Sequence, residues 1–157
     1  MVRTALCAAL LLCLAAAAPA GPPAPAELLV AECADPAGRT VGHIGGHDVD
    51  TPDAMTGGRF IFRIDRNAHT AVVVGDDARG GRLTTRPGIM LDRADAISLI
   101  EQNGTGAVWL YTLFPKAGRV LITRHWGAAP MLPGPDTAIG TVLTATCSFG
   151  TAEAPPQ

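Results

Sequence analysis

Between Ala107 and Trp126 the chain reads AVWLYTLF, then PKAG, then RVLITRHW. Two runs rich in β-branched, aromatic and leucine residues flank a four-residue Pro/Gly turn, which is a β-hairpin pattern. With Phe114 opposite Arg119, alternation along the strands assigns the faces. One face carries Val108, Leu110, Thr112, Phe114, Arg119, Leu121, Thr123 and His125. The other carries Ala107, Trp109, Tyr111, Leu113, Val120, Ile122, Arg124 and Trp126. Both faces are largely apolar, so the hairpin belongs in the middle of a sheet covered on both sides or closed into a barrel. Trp109, Tyr111, Leu113, Val120 and Ile122 are the expected core.

The rest of the chain extends this β pattern. ELLVAEC (27–33) reads as a strand, followed by a turn at Asp35-Pro36-Ala37-Gly38 and a short strand over 39–44. His43 to Asp53 is dense in glycine, aspartate and proline and reads as a loop. RFIFRID (59–65) and TAVVVG (70–75) form a second hairpin. Short strands follow over 82–86 and 88–92, and Asp92 is placed to cap one helical turn over DRAD. ISLIEQ (97–102) feeds the central hairpin, GAAPMLPGPDT (127–137) is a Pro/Gly loop, and 139–149 is the last strand. No amphipathic helix and no internal repeat interrupts the series. The expected fold is all-β: an antiparallel meander closing into a small barrel or sandwich over residues 27–150.

The first twenty residues have the form of a secretory signal peptide. Arg3 supplies the charge, 5–18 the apolar run, and Ala18-Pro19-Ala20 the small residues of a cleavage site. Cleavage after Ala26 is the alternative. Cys7 and Cys13 follow leucines, where a lipoprotein cysteine needs a small residue, so no lipid anchor is expected. A Pro/Ala spacer (21–26) precedes the domain, and 151–157 reads as a disordered tail. Removing 1–20 leaves 157 − 20 = 137 residues and takes the formal charge from −2 to −3. A slightly acidic domain with no later apolar run of spanning length argues against nucleic acid and against a membrane span. The expected location is periplasmic or extracellular. There the two remaining cysteines, Cys33 and Cys147, read as a disulfide between first and last strands.

Polar residues that could carry chemistry are few. His43, His47 and Asp48, with Asp50 and Asp53 nearby, have zinc-ligand chemistry. The spacing across Gly45-Gly46 fixes no geometry, and the aspartates equally suit turns. A four-residue turn over 103–106 would set Glu101 opposite Val108, and so on one face with His125 about 10 Å away. That pair resembles an acid and a base or a buried polar bridge, and an odd turn length would flip Glu101 to the other face. Arg124 falls opposite Trp109, where its guanidinium can lie over the indole. Arg79, Arg82 and Arg86 could face an anion or protect a sheet edge. No GxSxG, HExxH, P-loop or GxGxxG motif is present.

The meander ISLIEQNGTGAVWLYTLF, the Thr123-Arg124-His125 of the following strand and the late cysteine of TATCSFG together resemble small exported β-proteins of unassigned function in proteobacteria. Those proteins carry a Ser/Thr-Arg-His, a Pro-containing loop and a Gly-x-Cys ending. Here Ala145-Thr146 precede the cysteine. The resemblance implies a secreted β domain and no activity. The reading is therefore a non-enzymic exported module, without cofactor, that recognises an envelope protein or a small apolar ligand. The alternatives are a metal site on His43, His47 and Asp48, and a structural envelope component. Intact-mass analysis of exported protein should give a chain beginning at Gly21. A full-length cytoplasmic species would contradict export.

Overall fold

The computed structural model describes residues 27–76, 81–102, 106–127 and 137–153. The segment expected to be a signal peptide, the expected spacer, Arg79, most of the 127–137 loop and the end of the expected tail lie outside them. Among the described residues there are ten strands: β1 (Glu27–Ile44), β2 (His47–Ala54), β3 (Arg59–Asp65), β4 (Thr70–Asp76), β5 (Arg82–Thr85), β6 (Ile89–Asp92), β7 (Ile97–Gln102), β8 (Val108–Phe114), β9 (Arg119–Gly127) and β10 (Ala138–Glu153). They form one antiparallel sheet in the order β5-β4-β3-β1-β10-β9-β8-β7-β6, with β2 also on β1. The sheet curls into a half-barrel.

β1 and β10 are its seam. They pair from Glu27↔Glu153 to His43↔Ala138, so β10 takes in the first three residues of the expected tail, Thr151 to Glu153. Cys33 and Cys147 are direct cross-strand partners and are disulfide-bonded. The opposite edge of β1 is shared: Leu29–Ala34 pairs with β3 and Ala37–Ile44 with β2. The handover occurs at Asp35-Pro36, read from sequence as a turn between two strands. It is instead a bulge within one strand. Asp35 adopts φ 49°, a left-handed conformation that aspartate tolerates. Its N–H donates to Gly58 O at 2.9 Å, and its carboxylate accepts from Gly57 N at 2.7 Å. Met55 N donates to Pro36 O at 2.8 Å. The β2–β3 turn thus occupies the backbone groups the bulge releases.

The Gly/Asp-rich stretch from His43 is a second correction. It is not a loop but the β1–β2 hairpin, with Gly45 and Gly46 at φ 56° and 84° forming its two-residue turn. Two successive positive φ values are what glycine supplies without a Cβ clash. Asp92 does not open a helical turn either. It ends β6, and its carboxylate lies 3.2 Å from Arg66 Nε. In the central hairpin the pairing is Phe114↔Arg119 through Trp109↔Arg124, as read from sequence. Pro115–Ala117 forms a 3-10 turn that Gly118 ends at φ 63°.

Alternation places Phe60, Phe62 and Ile64 of β3, Ala71 and Val73 of β4, Ile97 and Leu99 of β7, Tyr111 and Leu113 of β8, Val120 and Ile122 of β9, and Leu143 and Ala145 of β10 on the concave face. The two wings meet across it: Tyr111 lies 5.4 Å from Phe62 and 6.1 Å from Phe60 between ring centroids. The convex side of β8 and β9 stays half-exposed, so among the described residues the central hairpin is covered on one face only. The disulfide lies in this core, Cys33 fully buried. Replacing both cysteines by alanine should destabilise the domain by about 2–5 kcal/mol, read by urea denaturation. An unchanged midpoint would show that the seam holds without the bond.

Candidate functional site

One rung of the sheet differs from the apolar rungs beside it. Glu101, Trp109, Arg124, Thr141 and Thr40 are successive cross-strand partners from β7 to β1. Each lies on the concave face, in phase with Leu99, Tyr111, Ile122 and Leu143. At this rung the half-barrel stops being packed with hydrocarbon and presents charge, hydroxyl and indole.

Arg124 is the centre. Its guanidinium carbon lies 3.7 Å from the Trp126 ring centre and 5.0 Å from that of Trp109. These are cation–π distances, and they pin the flat head of an otherwise flexible side chain. Arg124 Nη2 donates to Thr141 Oγ1 at 3.4 Å and stands 3.6 Å from Asp53 Oδ2. Asp53 in turn accepts from Thr40 Oγ1 at 2.8 Å, and the Thr40 and Thr141 hydroxyls are 2.8 Å apart. Thr40 spends its one proton on Asp53, so Thr141 must donate to Thr40. The polar groups therefore form a ring: Arg124 to Thr141, Thr141 to Thr40, Thr40 to Asp53. Burial lowers the Arg124 pKa from its usual value, and the charge of Asp53 opposes that shift. Arg124 Nε is buried and has no hydrogen-bond partner among the described residues.

On the other side of Trp109, Glu101 is 6% exposed. Thr85 Oγ1 of β5 donates to its Oε2 at 2.7 Å, and Tyr111 OH reaches the same oxygen at 3.5 Å. The Thr85 bond ties the outer strand of one wing to the other wing. Between the walls lies a cleft of about 270 Å³. Leu83, Gly75 and Phe60, one rung of β5, β4 and β3, line one side. Trp109 lines the other, with Met55, Asp76, Gly81 and Arg82 completing it. The space owes something to Gly75, because a Cβ there would come within 3.2 Å of the Phe60 ring.

The sequence-stated candidates divide. Arg124 and Trp109 are stacked as expected. Glu101 joins them and not His125: it pairs with Trp109, and Gln102 with Val108. Five residues, not four, separate β7 from β8, and the odd count turns Glu101 to the concave face. His125 points to the convex side, exposed, opposite Gly140. His43 Nδ1 meets Asp48 Oδ1 at 2.9 Å. His47 pairs with Ile44 one position along, so it faces the opposite side of the ribbon from both. Among the described residues no group of three His, Cys, Asp or Glu side chains converges. Arg82 pairs loosely with Asp76 at 3.8 Å. No helix of the described residues is long and apolar enough to cross a membrane. Thr40 and Thr141 are not among the sequence candidates, and Asp53 is among them only as a possible zinc ligand beside His43 and His47. Their signal is the register itself, which makes them neighbours of Arg124 only once β1, β2, β9 and β10 are aligned. No family model, curated protein or solved structure matches the chain.

Tyr111 is the chain's one tyrosine. Burial, helped by the charge of Glu101, raises its pKa well above the usual phenol value. A raised folded pKa keeps the phenol neutral in the native state, so stability should fall as pH rises past about 10, where the unfolded chain's tyrosine ionises. Tyrosinate absorbance at 295 nm should then appear together with unfolding. A free titration near pH 10 in the folded protein would contradict the burial.

Proposed function

We propose that the chain is a non-enzymic binding module, exported and disulfide-closed, that holds a small molecule with an apolar body in the cleft at the mouth of the half-barrel. The observation that carries this reading is the cleft between Leu83, Phe60, Met55 and Trp109. An apolar concavity with a few polar groups beside it is the usual form of a small-molecule site. Leu83 is 58% exposed there, and covering it with ligand removes apolar surface from water. The volume suits a one-ring or two-ring molecule, which favours a small ligand over an envelope protein as occupant.

The polar groups near the cleft are arranged to bind more than to react. Glu101 is held by two hydroxyls, and Asp53 by Thr40. Ser98 lies on the convex face and shares a hydrogen bond with Thr112 at 3.2 Å. Export is supported by the sequence of residues 1–20 and by the disulfide, since such bonds persist in oxidising compartments.

The test is calorimetric titration of the disulfide-intact protein with 3-phenylpropanamide, a neutral one-ring probe. Binding is expected in the wild type, with loss of most affinity in Gly75→Val, whose side chain would crowd the cleft against Phe60. Equal binding by both proteins, or no binding of either this amide or its carboxylate counterpart, would overturn the reading.

A further inference from the structure

Arg124 is an incompletely used cation. A guanidinium offers five N–H donors in one plane. Among the described residues the bond from Nη2 to Thr141 is a long 3.4 Å, Asp53 stands beyond hydrogen-bond distance at 3.6 Å, and the buried Nε has no partner. Trp126 and Trp109 lie at cation–π distance from the group, which restrains it and leaves recognition to its N–H donors. The side chain is still 20% exposed. A cation restrained in this way and loosely paired is prepared for a planar anion, which can accept two parallel bonds from the fork.

The same group lies over one wall of the cleft. Trp109 lines the cleft and lies under Arg124. Met55 lines it too, two residues after Asp53. A molecule with its body against Leu83, Phe60 and Trp109 would have its polar end near this edge.

We infer that Arg124 anchors a carboxylate, and that the ligand of the cleft is a small monocarboxylic acid with an apolar, ring-sized body. The inference rests on the reading of the cleft as a binding site and adds the ligand's charge and the residue that selects it. A carboxylate is favoured over a phosphate because Asp76 in the cleft lining and Asp53 beside Arg124 already supply two acidic groups. A doubly charged head would meet more repulsion there. Asp53 itself shows that a carboxylate can stand beside Arg124, and it competes with the ligand for the same cation. Removing its charge should therefore strengthen binding, an effect opposite to that of removing an ordinary contact residue.

The experiment compares 3-phenylpropanoate, 3-phenylpropanamide and 2-phenylethylphosphonate by calorimetry on the disulfide-intact protein. The carboxylate should bind about tenfold more tightly than the amide, the gain typical of a charge-assisted hydrogen bond. Arg124→Gln should bring carboxylate and amide to equal affinity, and Asp53→Asn should tighten the carboxylate. If Arg124→Gln does not fold, the wild-type ratio and Asp53→Asn decide. Equal wild-type affinity for carboxylate and amide would overturn the inference and leave the cleft reading standing. So would tighter binding of the phosphonate, or weaker carboxylate binding by Asp53→Asn. Binding of none of the three would overturn both.

Discussion

The pairing of β1 with β10 is the constraint on which the architecture depends. These strands run antiparallel over nearly their whole length and are covalently joined at Cys33–Cys147. Apart from β2, which pairs with β1 alone, every other strand is attached to them, directly or through neighbours, as part of one of two wings. The bond closes a loop of 114 positions, a long loop by the standard of chain-entropy models. Without the seam, β3–β5 and β6–β9 would be two separate meanders, each with one apolar face exposed.

The wings then meet for reasons of burial and of polar satisfaction. Phe60 and Phe62 reach Tyr111 across the concave face, excluding water from large aromatic surfaces. Thr85 bonds to Glu101 at one level and Arg66 to Asp92 at another. The interior is dry where Ile64, Ile97, Leu113 and Val120 fill it. It cannot close in the same way at the rung of Glu101, Trp109, Arg124, Thr141 and Thr40, because desolvated charge needs partners that hydrocarbon does not supply. The cleft forms where the apolar filling gives way to this rung. Gly75 keeps its far wall thin.

Much of this was legible in the sequence where the signals were local. The hairpin over 107–126 specified its own register, because the four-residue PKAG turn fixes which residues oppose. Arg124 beside Trp109 followed from that register. The disulfide followed from having two cysteines in an exported-type chain. The failures came where tertiary context decided. Asp35-Pro36 has turn chemistry, but β10 runs past it unbroken and makes it a bulge. The Gly45-Gly46 pair was a local hairpin signal, hidden by the surrounding aspartates and Pro52. Glu101 depended on one residue of loop length, and parity alone moved it from His125 to Trp109. The Thr40–Asp53–Thr141 part of the ring joins residues up to 101 positions apart, and no local pattern reports it.

The claim that the β1–β10 seam holds both wings is tested most directly by native-state hydrogen exchange of the oxidised protein. The slowest amides are expected in the paired central parts of β1 and β10, around Cys33 and Cys147, opening only with global unfolding. The outer strands β5 and β6, four residues each, should exchange fastest. Slowest exchange confined to one wing, for example β7–β9, with β1 and β10 opening earlier, would contradict it.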